Sequence, residues 1–194
     1  MGFAGPVYHP HGPMPQSLLE DRFHLKIHRE VKEAPMYALT VAKGGFKLKP
    51  IKDGDCTPID FGRIGPLGPD DKPYCRWTGW QVHGSNRTLL GGGITLERLA
   101  GDLAEPILDR NVVDRTGIAG SFIIHLEYAP DENTRCFGPA EMCAVDPNSD
   151  IPAGATIFGA LEQQLGLKLD QIKGPKEHIA IDHVERPSEN QAGV

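Results

Sequence analysis

The stretch DPNSD sets Asp146, Asn148 and Asp150 two residues apart. That is how a calcium loop opens, with three short oxygen-bearing side chains converging on one hard cation. The rest of such a loop is missing, because Ile151 stands where the sharp turn wants glycine and Ile157 where the closing glutamate belongs. A loop of Asx turns without an ion is the plainer reading. In YHPHGP, His9 and His11 flank Pro10, and an extended backbone there can turn two imidazoles toward one metal. The competing reading is a leader with no ligand. Ca2+ and Zn2+ are thus the cofactors these spacings raise.

The segment YCRWTGWQVH gathers Tyr74, Arg76, Trp77, Trp80 and His83. Aromatic walls with a few polar groups suit a small-molecule cleft, although the same rings can plug the end of a sheet. His24, Lys26, His28 and Glu30 share one parity, as do His125 and Glu127. On strands these are outward faces, solvated unless a loop covers them, in which case they can bind metal or move protons. His183 has the parity of Ile179 and Ile181 and is expected to point coreward as a hydrogen-bonded structural histidine. No Gly-x-Ser-x-Gly elbow and no His-Glu-x-x-His pair exists, and Ser85 and Ser121 sit in ordinary turn contexts. The glycines of LLGGGITLERL could offer N–H groups to an anion, but no lysine follows them, and they read as a flexible lead-in to a helix.

Composition narrows the field. The 194 residues carry a net charge of -6, which disfavours nucleic acid, whose partners need a cationic surplus on one face. Lys43, Lys47, Lys49 and Lys52 form a local basic patch, expected to be a solvated hairpin end. No apolar run approaches the roughly 20 residues that a membrane-spanning helix requires. The opening MGFAGPVYHPHGPMPQ lacks the cationic start and apolar stretch of an export signal, so the chain as written is expected in the cytoplasm. Cys56, Cys75, Cys136 and Cys143 allow three pairings, and disulfides, free thiols and metal ligation all stay open.

The elements that must position these groups come from hydrophobic periodicity. Ser17 can cap a short helix through Leu18 to Asp21, after which Phe23, Leu25 and Ile27 alternate as a strand. Lys32 to Pro35 reads as a turn, with Tyr37, Leu39 and Val41 returning. The same grammar recurs later. Thr156 caps a helix bearing Ile157, Phe158, Leu161 and Leu165, Gly166 ends it, Leu167 and Leu169 alternate, KGP turns, and Ile179 and Ile181 return. A looser copy has Thr95 capping Leu96, Leu99, Leu103 and Ile107, a short strand at 111–114, a turn at 116–120, and Phe122, Ile124, Leu126 and Tyr128 alternating.

A helix with two strands cannot bury its apolar face alone, so the copies must pack on one another. The expected fold is α+β, with repeated helix and β-hairpin units and helices packed on one face of antiparallel sheet. The expected layout is a flexible leader at 1–16, units at 17–50, 95–130 and 156–187, an irregular Gly/Pro-rich segment at 51–94, a loop at 131–155 and a tail at 188–194. These would form one domain or two small lobes. Any site belongs in the Gly/Pro-rich spans.

Three strings, RFHLKIHREVKEAPMYALTVAKGGFKLKP, NVVDRTGIAGSFIIHLEYAPD and TIFGALEQQLGLKLDQIKGPKEHIAIDHVERPSEN, together resemble the soil-associated uncharacterised domain family abundant in Acidobacteria. The resemblance implies no settled activity and transfers no catalytic residue. It implies exported relatives, some attached to membrane sensor-peptidase modules, and hence a binding or sensing role outside the cytoplasm. Relatives usually carry a further segment with an export signal ahead of the part matching Leu18, where this chain has a Pro/Gly/His leader. The leading expectation is therefore a domain that binds or senses a small molecule. The alternative is a divalent-metal hydrolase of a small ester or lactone, with the metal polarising the carbonyl or activating water. An exposed sheet edge would further favour a homodimer.

Overall fold

Two long extended stretches organise the molecule. In the computed structural model, which describes residues 13–60, 62, 65, 71–104, 107–135 and 153–187, each follows a helical segment. Helix α1 (Pro13–Phe23) leads into β1 (Lys26–Val41). Helix α3 (Ile157–Ala160) runs on as a π-helix (Leu161–Leu165) into β6 (Leu167–His183). Between them come β2 (Trp77–His83), β3 (Asn86–Ile94), α2 (Leu96–Ala104), β4 (Val112–Asp114) and β5 (Phe122–Tyr128). The fold is α+β, with one sheet ordered β4-β1-β6 and another ordered β2-β3-β5.

The repeated sentence in the sequence is thus a repeated helix-then-strand, but the expected hairpins are absent. Residues 32–35 continue β1, and Gly174 with Pro175 continues β6. The two strands hold each other extended. Their side-chain contacts run antiparallel, from His28 with Asp182 to Thr40 with Asp170. Pro35 is tolerated because the parallel ladder to β4 begins only at Tyr37. Helix α1 is also longer than expected and takes in Ser17 and Phe23. It stops where His24 adopts a left-handed φ of 48°, which a residue with a Cβ rarely continues into another turn.

The chain divides into two units, residues 1–34 with 174–194, and residues 35–173. The second holds the core. Leu39 from β1, Leu89 from β3, Ile124 and Leu126 from β5, Leu99 and Leu103 from α2, and Ile157 and Leu161 from the last helical segment are all buried in one cluster. Each such side chain contributes about 1.5–3 kcal/mol when withdrawn from water. Thr95 Oγ1 accepts from Arg98 N at 3.2 Å and Thr156 Oγ1 accepts from Gly159 N at 3.5 Å, so both expected N-caps are present. Gly166 ends the π-helix with φ 67°. Its missing side chain is required twice over, because a Cβ there would lie 1.9 Å from Gly45 O.

Three further expectations are corrected. The span 51–94 is not irregular throughout, since β2 and β3 form a hairpin across Gly84 and Ser85, with His83 opposite Asn86. The glycine run lies within β3 rather than in a flexible lead-in. A Cβ on Gly91 would press on Ile94 and Thr78, and one on Gly92 would sit 2.7 Å from Cys56 Cβ. Gly93, at φ 69°, absorbs the register shift before Ile94, as a glycine bulge does. Nor do β4 and β5 pair with each other, because β4 joins β1 while β5 joins β3.

Candidate functional site

Directly opposed residues in antiparallel strands share a face, and this sorts the aromatic segment. Trp80 lies opposite Leu89, which lies opposite Leu126, so Trp80 is on the core-side face at the sheet edge. Trp77 lies opposite Gly92, itself opposite Ile123, and shares the outer face with Gly79, Gln81 and His83. The two tryptophans, both partly exposed, therefore do not line one cleft. Tyr74 turns its hydroxyl to Gly65, accepting from its N–H at 3.2 Å. Arg76 has φ 56° and donates its backbone N–H to Gly92 O at 2.6 Å. Cys56 and Cys75 form a disulfide and clamp this loop on the outer face, where Gly92 lets the backbones close in. Cys136 and Cys143, His9 and His11, and the expected metal loop of Asp146, Asn148 and Asp150 lie outside the described residues.

The outer face of β5 carries a cleft of about 580 Å³ lined by Lys47, Leu48, Lys49, Pro50, Lys52, Asp55, Ile123, His125 and Gln164. Its first wall follows from alternation. Phe46 and Leu48 pack against the core, Phe46 edge-on to Phe122 at 5.1 Å, which leaves Lys47 and Lys49 turned outward. The segment is tied to β5 by Ile51 N–H donating to Ser121 O at 2.9 Å and by an isolated bridge from Pro50 to Phe122. The expected solvated hairpin end is thus a cleft wall.

Its second wall is the π-helix, a wider turn often found at functional positions. Gln164 pairs with the open edge of β5, donating to Glu127 O at 2.6 Å and accepting from Glu127 N at 3.0 Å. Lys47 Nζ donates to Gln163 O at 2.8 Å, where a cation satisfies carbonyls at a helix end. Asp55 is engaged locally, accepting from Lys52 N–H at 2.9 Å. The ammonium groups of Lys49 and Lys52 have no partner among the described residues. Three lysines against one aspartate make this cleft cationic in a chain of net charge -6. Periodicity marks the outward parity of His125, but nothing local shows that the distant 47–52 segment stands beside it.

In the unit of residues 1–34 and 174–194, histidines sit beside carboxylates. His28 Nδ1 lies 2.8 Å from Asp182, and this hydrogen bond and charge raise its pKa above the ordinary 6.5. His183 at 2.8 Å and His24 at 3.1 Å both face Glu185, whose pKa is lowered chiefly by the hydrogen bond from His183. His183 is exposed together with Ile179 and Ile181, so the expected coreward orientation does not hold. That parity was read correctly as one face, but no core formed by the described residues lies against it. Among the described residues no group of three or more His, Cys, Asp or Glu side chains is placed to hold a metal ion.

A family model described as protein of unknown function (DUF3738) matches residues 6–184, and the chain belongs to that uncharacterised family. No curated protein and no solved structure matches it.

Proposed function

We propose that the protein is a small-molecule binding module whose ligand is a small anion with an apolar portion, seated in the cleft between the 47–52 segment and the π-helix. One observation carries this reading: lysines 47, 49 and 52 converge on an opening floored by Ile123, Leu48 and Pro50. Ammonium groups can take a carboxylate or phosphate, while the apolar floor accepts a hydrocarbon body. Gln164 and Lys47 are pre-positioned by their own hydrogen bonds, so little conformational freedom is lost on binding. The disulfide between Cys56 and Cys75 supports work in an oxidising compartment, in keeping with the export implied by the resemblance.

The test is a titration of the isotope-labelled protein with inorganic phosphate, acetate and octanoate, followed by amide resonances of Ile123, His125 and Gln164. Octanoate should give saturable shifts confined to the cleft and weakened by added salt. Lys49→Ala and Lys52→Ala should each weaken binding about two- to fivefold. Shifts scattered over the surface, or equal affinity in the double variant, would remove the proposal.

A further inference from the structure

The long ribbon of residues 26–34 of β1 and 174–183 of β6 has an unusual distribution of side chains. His28 reaches Asp182 and Arg29 reaches Glu177 at 2.7 Å, so even-numbered residues of both strands share one face and odd-numbered residues the other. The odd face carries Ile27, Val31, Ile179 and Ile181 beside the charged Arg29, Glu33 and Glu177, and Val31 is 68%, Ile179 55% and Ile181 65% exposed. β4 pairs only with residues 37–39, and no other described strand adjoins residues 26–34. Two strands alone are marginal in water, whereas three or more with an apolar face are stable. An open edge beside an exposed apolar face is a template for another strand.

We infer that the free edge of β1 pairs antiparallel with the same edge of a second copy, about a two-fold axis at Val31. The charges specify this occupant. The sequence Arg29-Glu30-Val31-Lys32-Glu33 inverts its signs about its centre. In such a pairing Val31 meets the second copy's Val31, Glu30 meets Lys32 and Arg29 meets Glu33, each pair occurring twice. Within one copy, Lys32 already contacts Glu30, while Glu33 has no ion-pair partner among the described residues. The two-fold gives that carboxylate a guanidinium, shared with Glu177. It also joins two ribbons into four strands and brings the exposed aliphatic side chains of both odd faces onto one surface. The opposite edge, along β6, suits the role less. Pro175 interrupts its donors, and Asp182 and His183 are already taken by His28 and Glu185.

Sedimentation velocity of the full chain over a concentration series tests the pairing. The wild type should show a concentration-dependent monomer–dimer equilibrium. Val31→Lys, at an exposed position that leaves the fold intact by circular dichroism, should abolish the dimer. Lys32→Glu sets two glutamates opposite each other at both symmetric places and should weaken it about tenfold. Glu30→Lys combined with Lys32→Glu re-creates the complementarity and should restore it. Val31→Cys should yield an intermolecular disulfide above the wild-type background, and Ala180→Cys on the β6 edge should not. A single monomeric species at every concentration, a dimer indifferent to these substitutions, or crosslinking at position 180 instead would overturn the inference.

Discussion

Replacing Gly166 by alanine tests the joint that holds the cleft wall. The glycine has φ 67°, a conformation that costs an L residue about 1–2 kcal/mol. A Cβ there would fall 1.9 Å from the backbone oxygen of Gly45 and 3.0 Å from Lys47 N, so backbone rather than a pliable side chain must give way. Moving residues 42–47 endangers two hydrogen bonds, Ala42 N–H to Gly166 O at 2.9 Å and Lys47 N–H to Leu165 O at 3.1 Å. Each contributes about 0.5–1.5 kcal/mol. The sum is a loss of about 2–5 kcal/mol. Two neighbours serve as internal controls. Gly45 has φ 81° but nothing within 4 Å of its would-be Cβ, so alanine there should cost about 1 kcal/mol from conformation alone. Gly44 has neither restraint, and its replacement should stay within about 0.5 kcal/mol. Urea unfolding of the three variants at equal m-value measures the series. Equal losses at positions 44, 45 and 166 would show that the crossing of the loop over the helix end is not what fixes this glycine.

Other outcomes follow from single contacts. Reducing the disulfide, or replacing Cys56 and Cys75 together by serine, opens a loop with a sequence separation of 19 and should cost about 3 kcal/mol, with amide exchange rising first around Gly92, on which that loop lies. His28 should titrate above 6.5 by proton NMR, because Asp182 stabilises its charged form. Its pKa is raised on folding, so its contribution to ribbon stability is full below 6.5 and fades as pH rises through the folded value; Asp182→Asn should return the resonance to the ordinary value, and an unchanged titration would dissociate the pair.

The N-caps at Thr95 and Thr156, the glycine stop at 166 and the alternation of Phe122 to Tyr128 were legible because each is written in local spacing. The hairpin of β2 and β3 was also written locally, since Gly84-Ser85 between β-prone runs is a two-residue turn signal, but the neighbouring glycines masked it. Those glycines are needed because both faces of the strand are crowded, the Gly91 side by Thr78 and the strand's own Ile94 and the Gly92 side by Cys56. The continuity of β1 through Lys32–Pro35 was not legible in either strand alone. A turn-like tetrapeptide stays extended when another strand of matching length lies beside it, and such a partner is visible only when residues 18–41 and 161–184 are read together.

Parity establishes which side chains share a face, but not what covers that face, and both functional readings turn on this difference. Ile179 and Ile181 lie on the odd face of the β1–β6 ribbon and were expected to face a core, yet they and Val31 meet solvent. The outer face of β5 carries His125 and Glu127 and was expected to be solvated, yet the 47–52 segment and Gln164 stand against it. The exposed aliphatic patch underlies the proposed pairing of two copies, and the lysines beside β5 underlie the proposed anion site. The two proposals are independent: Val31→Lys should leave octanoate binding at Lys49 and Lys52 unchanged, and loss of both together would mean that the cleft is completed only in the dimer.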